Sequence, residues 1–231
     1  MNRTKYSRTY HLPYSLSRTD DDKTMANDNQ FQDKEVVVSI KGDGENTSIY
    51  GDGYTHARSL DTASHPSRDW LKAWVSQWAY QLDKELRVCG ENMYALHSIH
   101  YQHLKSYFYG FGLYQGNYCF DIDTTLEIFK DLGILHTPII YRGIYDKELI
   151  LKAFQDYQSN VLAEGMGLPA KIEAGKVIYL ADNPVAEGFV VRVTEGFDMS
   201  EFSKKVGKYV RKGHVQTDEH WSKFCIPNQL A

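Results

Sequence analysis

Four glycines (Gly42, Gly44, Gly51 and Gly53) punctuate the chain directly after a β-branched run, Glu35-Val36-Val37-Val38-Ser39-Ile40. Glycine weakens helix interiors and is at home in tight turns, so this stretch is confined to extended structure. It reads as a strand over 35–40, a tight turn, a strand over Thr47-Ser48-Ile49-Tyr50, and a short strand from Tyr54 to Arg58. A lysine, Lys41, stands between the first strand and the turn, and two carboxylates, Asp43 and Glu45, stand inside and just after it.

The remaining pattern interleaves strands with a few helices. Trp70, Leu71, Trp74, Val75 and Trp78 have helical spacing within Ser67 to Leu82, with Ser67 as N-cap. That tryptophan stripe reads as a core-facing surface. Leu86 to Ile99 and Ser106 to Tyr114 read as extended. Asp123 to Leu132 reads as a helix capped by Asp123, with Leu126, Phe129 and Leu132 on one face and Gly133 ending it. Thr137 to Tyr141 reads as a buried strand, Asp146 to Tyr157 as an amphipathic helix, and Lys176 to Leu180 and Glu187 to Val193 as strands. Residues 199–215 fit helix or strand equally. Irregular mixing of this kind points to an α+β fold rather than regular βαβ units.

With 231 residues and 42% hydrophobic content, the chain can build one domain around its own core. No run approaches the roughly 18 apolar residues of a membrane helix, and the start, MNRTKYSRTYHLPYS, has no apolar segment of a secretory signal. The three cysteines, Cys89, Cys119 and Cys225, form neither a zinc spacing nor a disulfide framework, and a reducing cytoplasm is the expected location. The net charge of −4 argues against a general nucleic-acid coat. Its distribution is uneven. Residues 1–18 carry Arg3, Lys5, Arg8 and Arg18 without an acid. Residues 204–223 carry Lys204, Lys205, Lys208, Arg211, Lys212 and Lys223 against Asp218 and Glu219. Basic segments of this kind meet phosphates, or they are solvated surface.

Taken alone, Lys41-Gly42-Asp43-Gly44 is also an ordinary hairpin with a surface lysine. Its place in a series is more informative. The chain carries, in order, Lys41-Gly42-Asp43-Gly44, His56-Ala57-Arg58-Ser59, Gly90-Glu91-Asn92, Tyr107-Phe108-Tyr109-Gly110-Phe111-Gly112, Glu187-Gly188-Phe189-Val190-Val191-Arg192 and Lys208-Tyr209-Val210-Arg211-Lys212. This series resembles the nucleotidyltransferase motifs of polynucleotide ligases, specifically the small ATP-dependent RNA ligases of phages and bacteria (the RNA ligase 2-like branch). Two positions depart from the pattern. Gly112 stands where many ligases have an acid, and Arg192 where the fourth motif often has lysine, a change that keeps the charge but not the donor geometry.

The resemblance implies an α+β nucleotidyltransferase domain, ATP-grasp-like, with antiparallel sheets flanked by helices, ATP between them and no full OB-fold domain. It implies a lead-in at 1–33, an adenylyltransferase domain at 34–215 and a short tail at 216–231. It also implies an ATP-dependent RNA ligase joining 3′-OH and 5′-phosphate ends through lysine–AMP and AppRNA, in a bacterial or phage-infected cell. Lys41 would be the nucleophile; Lys41, Arg58, Glu91, Phe111, Glu187, Arg192 and Lys208 would bind the nucleotide; and Asp43 and Glu187 would hold Mg²⁺. Arg211 and Lys212 would meet the RNA, single-stranded or nicked duplex. No membrane partner is implied, and the oligomeric state stays open.

Chemistry supports each assignment separately. A lysine nucleophile must shed its proton near neutral pH, from an unperturbed value of about 10.4, with neighbouring cations and a metal to help. Arg58, Arg192 and Lys208 suit a phosphate, Asp43 and Glu187 suit the waters of Mg²⁺, and Glu91 suits ribose hydroxyls. Phe111 offers a stacking face for adenine, with Phe108 as its competitor. His11-Leu12-Pro13-Tyr14-Ser15 either folds over the nucleotide or orders as a lid with substrate. His97, His100, His103 and Cys119 are not a zinc set, because His97 and His100 fall on opposite faces of an extended chain. The alternatives are a non-catalytic nucleotide- or nucleic-acid-binding module on a ligase fold, a DNA-nick ligase, or a GTP-using capping enzyme.

Overall fold

The computed structural model describes residues 3–60, 64–161, 163–214 and 223–231. Residues 215–222, which include Asp218 and Glu219 of the basic 204–223 segment, lie outside the described residues. The strands are β1 (Tyr10–His11), β2 (Glu35–Lys41), β3 (Glu45–Tyr50), β4 (Thr55–Ala57), β5 (Leu86–Asn92), β6 (Ile99–Tyr101), β7 (Phe108–Gln115), β8 (Tyr118–Cys119), β9 (Leu135–His136), β10 (Ile139–Ile144), β11 (Gly167–Glu173), β12 (Lys176–Tyr179), β13 (Gly188–Val193), β14 (Phe197–Asp198) and β15 (Val206–Val210). The α-helices are α1 (Asp69–Val75), α2 (Ile122–Asp131), α3 (Lys147–Gln158) and α4 (Phe202–Lys205).

Two sheets carry the architecture. The first runs β1-β15-β13-β2-β10, and the second runs β14-β8-β7-β5-β3-β4 with β9 beside β7. A smaller sheet, β12-β11-β6, stands apart. Pairing is antiparallel except for β1 with β15 and β7 with β9. This is the α+β arrangement of antiparallel sheets and helices that the sequence predicts.

Period-two alternation decides which face of the first sheet is core. Val36, Val38 and Ile40 of β2 and Phe189, Val191 and Val193 of β13 all point into the main core. Phe189 stacks on Tyr209 at 4.7 Å, and Phe154 of α3 packs edge-on against Phe189. The second sheet has its own core, in which Val88, Phe108 and Leu113 meet Leu71, Val75 and Trp78 of the α1 region and Phe129 of α2. The tryptophan stripe is core, as expected: Trp70 stacks on Trp74, and Trp74 lies 5.4 Å from Phe108.

Several local expectations are corrected. The predicted helix over 67–82 is an α-helix only at Asp69–Val75, flanked by short 3₁₀ turns. Ser67 lies inside the first turn, where its N–H donates to His65 Nδ1. The cap of α2 is Asp121, which accepts from Thr124 N at 2.9 Å, while Asp123 pairs with Arg142 at 2.6 Å. The extended run from Leu86 breaks at Asn92 and resumes at Ile99. The buried strand expected at 137–141 is β10, shifted to Ile139–Ile144 at the sheet edge and largely half-exposed. Strand β11 was not anticipated. Within 199–215, residues 199–210 form a 3₁₀ turn, α4 and β15, using helix and strand in succession, and residue 215 lies outside the described residues. Among the described residues no helix is long and apolar enough to cross a membrane.

Candidate nucleotide site

The face of the first sheet turned away from the core is built by the same alternation. Val37, Ser39 and Lys41 share it. Register sets their neighbours: Val37 faces Arg192 and Arg192 faces Val206; Ser39 faces Val190 and Val190 faces Lys208; Lys41 faces Gly188. These side chains floor a cavity of about 380 Å³. The second sheet supplies the other wall with Asn46, Glu91, Phe111 and Tyr114, and exposed Arg58 borders it.

Two close backbone approaches require glycine. A Cβ on Gly44 would lie 2.5 Å from the Asn92 carbonyl oxygen, and one on Gly188 would overlap the Tyr209 carbonyl. Gly44, after Asp43, therefore brings β5 and its Glu91 close, and Gly188, after Glu187, brings β15 and its Lys208 close.

Lys41 Nζ lies 2.6 Å from Glu187 Oε2. Burial alone would lower the pKa of this ammonium, but Glu187, Glu91 and Asp43 outweigh it and hold Lys41 above the usual lysine range. This corrects the expectation of a lysine depressed by neighbouring cations: its nearest groups are carboxylates. Burial pushes Glu91 up to about 8; Lys41 opposes the shift, while Glu187 and Asp43 add to it. A protonated Glu91 both donates and accepts.

Asp43 and Glu187 are buried beside Lys41, off the cavity floor. Asp43 Oδ2 accepts from Ser98 N, Ser98 Oγ and Ile99 N, each at 2.8 Å. Burial works to raise its pKa, but His97, His214 and the Ser98 bonds prevail and lower it. Asp43, Glu187 and His214 each present one ligand atom within 4.8 Å of the others. Two carboxylate oxygens and one imidazole form a donor set that fits a small divalent cation. His214 was not anticipated as part of it, because nothing in the sequence around it marks a ligand. His100 is held elsewhere, by Tyr179 OH at 2.8 Å.

The lead-in to residue 33 also lines the cavity. Arg3 bridges to Asp52 at 2.5 Å and Thr4 N donates to Tyr50 OH at 3.0 Å, anchoring the segment on the second sheet. Tyr10 and His11 then join the first sheet as β1. Between these anchors Tyr6, Ser7, Arg8 and Thr9 pass along the cavity. Tyr6 sits edge-on to Phe111 at 5.3 Å. Asp22 closes on Lys208 Nζ at 3.0 Å and on His11 Nε2 at 3.2 Å. Burial lowers the pKa of Lys208, with Asp22 opposing. The sequence offered no periodic signal for this packing.

One cavity thus gathers Lys41, Arg58, Glu91, Phe111, Arg192 and Lys208, with Asp43 and Glu187 on its flank. Phe108 is fully buried in the second core, so of these two phenylalanines Phe111 is the one that lines the cavity. Arg211 donates from Nε to the Ala186 carbonyl at 3.0 Å and, with exposed Lys212, lies off the cavity.

Comparison with solved structures agrees with this architecture. An archaeal ATP-dependent RNA ligase (form 1) superposes with a TM-score of 0.52 at 14% identity, covering 89% of this chain and 48% of that one. A Naegleria gruberi RNA ligase mutant with AMP and Mn superposes with a TM-score of 0.50 at 15% identity, covering 88% of this chain and 59% of that one. This chain spans about half the length of these structures. No curated protein matches it. The fold likeness is joined by a sequence match to the RNA ligase model over residues 34–210, a span holding every residue named on the two sheet walls of the cavity. On that match, the chain belongs to the RNA ligase family.

Proposed function

We propose that this chain is the adenylyltransferase module of an ATP-dependent RNA ligase that joins 3′-OH and 5′-phosphate ends. The observation that carries the reading is the placement of Lys41 at a cavity with a half-buried aromatic ring, Phe111, on one wall and Lys208 on its floor. Neutral Lys41 Nζ attacks the α-phosphorus of ATP, and pyrophosphate leaves to give a lysine–AMP phosphoramide. AMP then passes to a 5′-phosphate RNA end as AppRNA. Attack by a 3′-OH forms the phosphodiester and releases AMP.

The chain's own groups divide this work. Phe111 stacks the base and Glu91 holds the ribose. Lys208 and Arg58 neutralise phosphate charge and align the leaving group, which is the main need of phosphoryl transfer. Asp43, Glu187 and His214 would hold a divalent cation. Bound there, it would cancel the carboxylate charge that keeps the proton on Lys41 and offset charge on the phosphate. Arg211 and Lys212 lead from the site toward RNA.

Incubation with α-labelled ATP and Mg²⁺ or Mn²⁺ tests the reading. Covalent label on the wild type and none on Lys41→Ala is the expected result. Equal labelling of both would remove Lys41 from the role, and salt-sensitive RNA binding without any label would favour a non-catalytic module. Sealing of RNA against DNA nicks, with ATP against GTP, separates the substrate classes.

A further inference from the structure

His136 is a polar group at the cavity that none of the ligase-like motifs includes. It ends β9, faces Gly110 across the strand pair, and lines the cavity beside Phe111. His136 Nδ1 lies 2.6 Å from the Thr137 carbonyl oxygen. A carbonyl only accepts, so Nδ1 carries the ring proton and Nε2 is left with a lone pair. Among the described residues no donor meets Nε2. Burial pushes the ring's pKa down to about 4; the Thr137 carbonyl opposes the shift and the nearby Arg192 cation assists it. Arg192 is itself fixed, donating to the carbonyls of Phe111 and Phe120. Its charge thus helps to keep His136 a neutral acceptor.

Stacking on Phe111 does not by itself select a base, since every base has a π-face. An acceptor on the wall beside that ring does. We propose that His136 is a base-specificity residue: Nε2 accepts a hydrogen bond from the exocyclic amine of adenine and disfavours guanine, whose carbonyl at the same ring position leaves two acceptors opposed. Sites built to hydrogen-bond one substrate group reject analogues lacking it, because the site's own polar atom is left unpaired. The assignment rests on the nucleotide reading above and adds the residue that sets its base preference.

The test is equilibrium binding of AMP, purine riboside 5′-monophosphate (which lacks the amine) and GMP to the wild-type protein. AMP should bind at least about tenfold tighter than either analogue, and the preference should persist from pH 7.5 to 5.5, where an ordinary histidine would protonate. His136→Phe should bring AMP to the level of purine riboside monophosphate, and His136→Gln, with its amide oxygen, should keep part of the preference. Equal binding of AMP and purine riboside monophosphate by the wild type, or loss of the preference by pH 5.5, would overturn the role of His136 while leaving a nucleotide site. Binding of none of the three would overturn the nucleotide reading itself.

Discussion

Replacing Asp22 with alanine should destabilise the fold through the contact between the lead-in and Lys208. The carboxylate accepts from Thr19 N and Thr19 Oγ1 at 3.0 Å each and from Lys208 Nζ at 3.0 Å, and it lies 3.2 Å from His11 Nε2. The Asp22 and Lys208 side chains are 22% and 18% exposed. Thr19 lies in an exposed turn, so water takes over its two bonds at little cost. The charge-assisted bond to Lys208 contributes about 1.5–3 kcal/mol, reduced toward the lower end by the partial exposure. Asp22→Ala should therefore cost about 2 kcal/mol, and Asp22→Asn, which keeps an acceptor, about 1. For a chain of this length that corresponds to a melting point lower by about 4–8 °C and about 2–4 °C.

The acid limb of stability supplies a second readout. Burial raises the pKa of Asp22, but its hydrogen bonds from Thr19 and Lys208 prevail and hold it well below the usual carboxylate range. Its stabilisation is present above the unfolded value of about 3.9 and is lost as pH falls through the folded one. Burial and then Lys208 lower His11 to about 4, with Asp22 opposing. The unfolded chain takes up that proton near pH 6.5 and the folded one does not, so stability falls as pH drops from 6.5 to 4. Removing Asp22 takes away the anion that favours protonated His11, so this loss should extend below pH 4. Thermal unfolding across pH 2–8 measures both effects. A variant melting within 1 °C of wild type at pH 7.5, with an unchanged acid limb, would refute the argument.

Three further substitutions separate neighbouring roles. Gly188→Ala forces a methyl onto the Tyr209 carbonyl, so β13 and β15 must part; thermal unfolding should show a loss of at least about 3 kcal/mol, and labelling by ATP should fall with it. Phe108→Ala, in the second core, should cost about 3–5 kcal/mol of stability, whereas Phe111→Ala should cost much less and weaken AMP binding at least about tenfold by calorimetry; the reverse pattern would exchange their roles. His214→Ala leaves Asp43 and Glu187 as oxygen-only ligands and should weaken Mn²⁺ binding more than Mg²⁺ binding, because imidazole suits the softer ion; titration of each metal against the two proteins measures it.

Local pattern made much of the fold legible. The β-branched run ending at Ile40, the glycines after it and the cap of α2 lie within a few residues of the structure they dictate. Even there, Asp121 took the cap expected of Asp123, because Asp123 is engaged by Arg142 from β10. Strand β11 passed unread because Gly167-Leu168-Pro169-Ala170 carries strand breakers, yet its partners β6 and β12 hold it extended.

The order of motifs from Lys41 to Lys208 was enough to point to the RNA ligase family, since each motif occupies a short stretch with its own chemistry. Tertiary structure decided what surrounds those residues. It placed carboxylates around Lys41, chose Phe111 over Phe108 at the cavity, and brought Asp22 to Lys208 across 186 residues of chain. It also set His136 beside Arg192 and His214 beside Asp43 and Glu187. Strand register and closure of the two sheets create these meetings. They depend on which distant segments pair, and no local pattern of residue types encodes that.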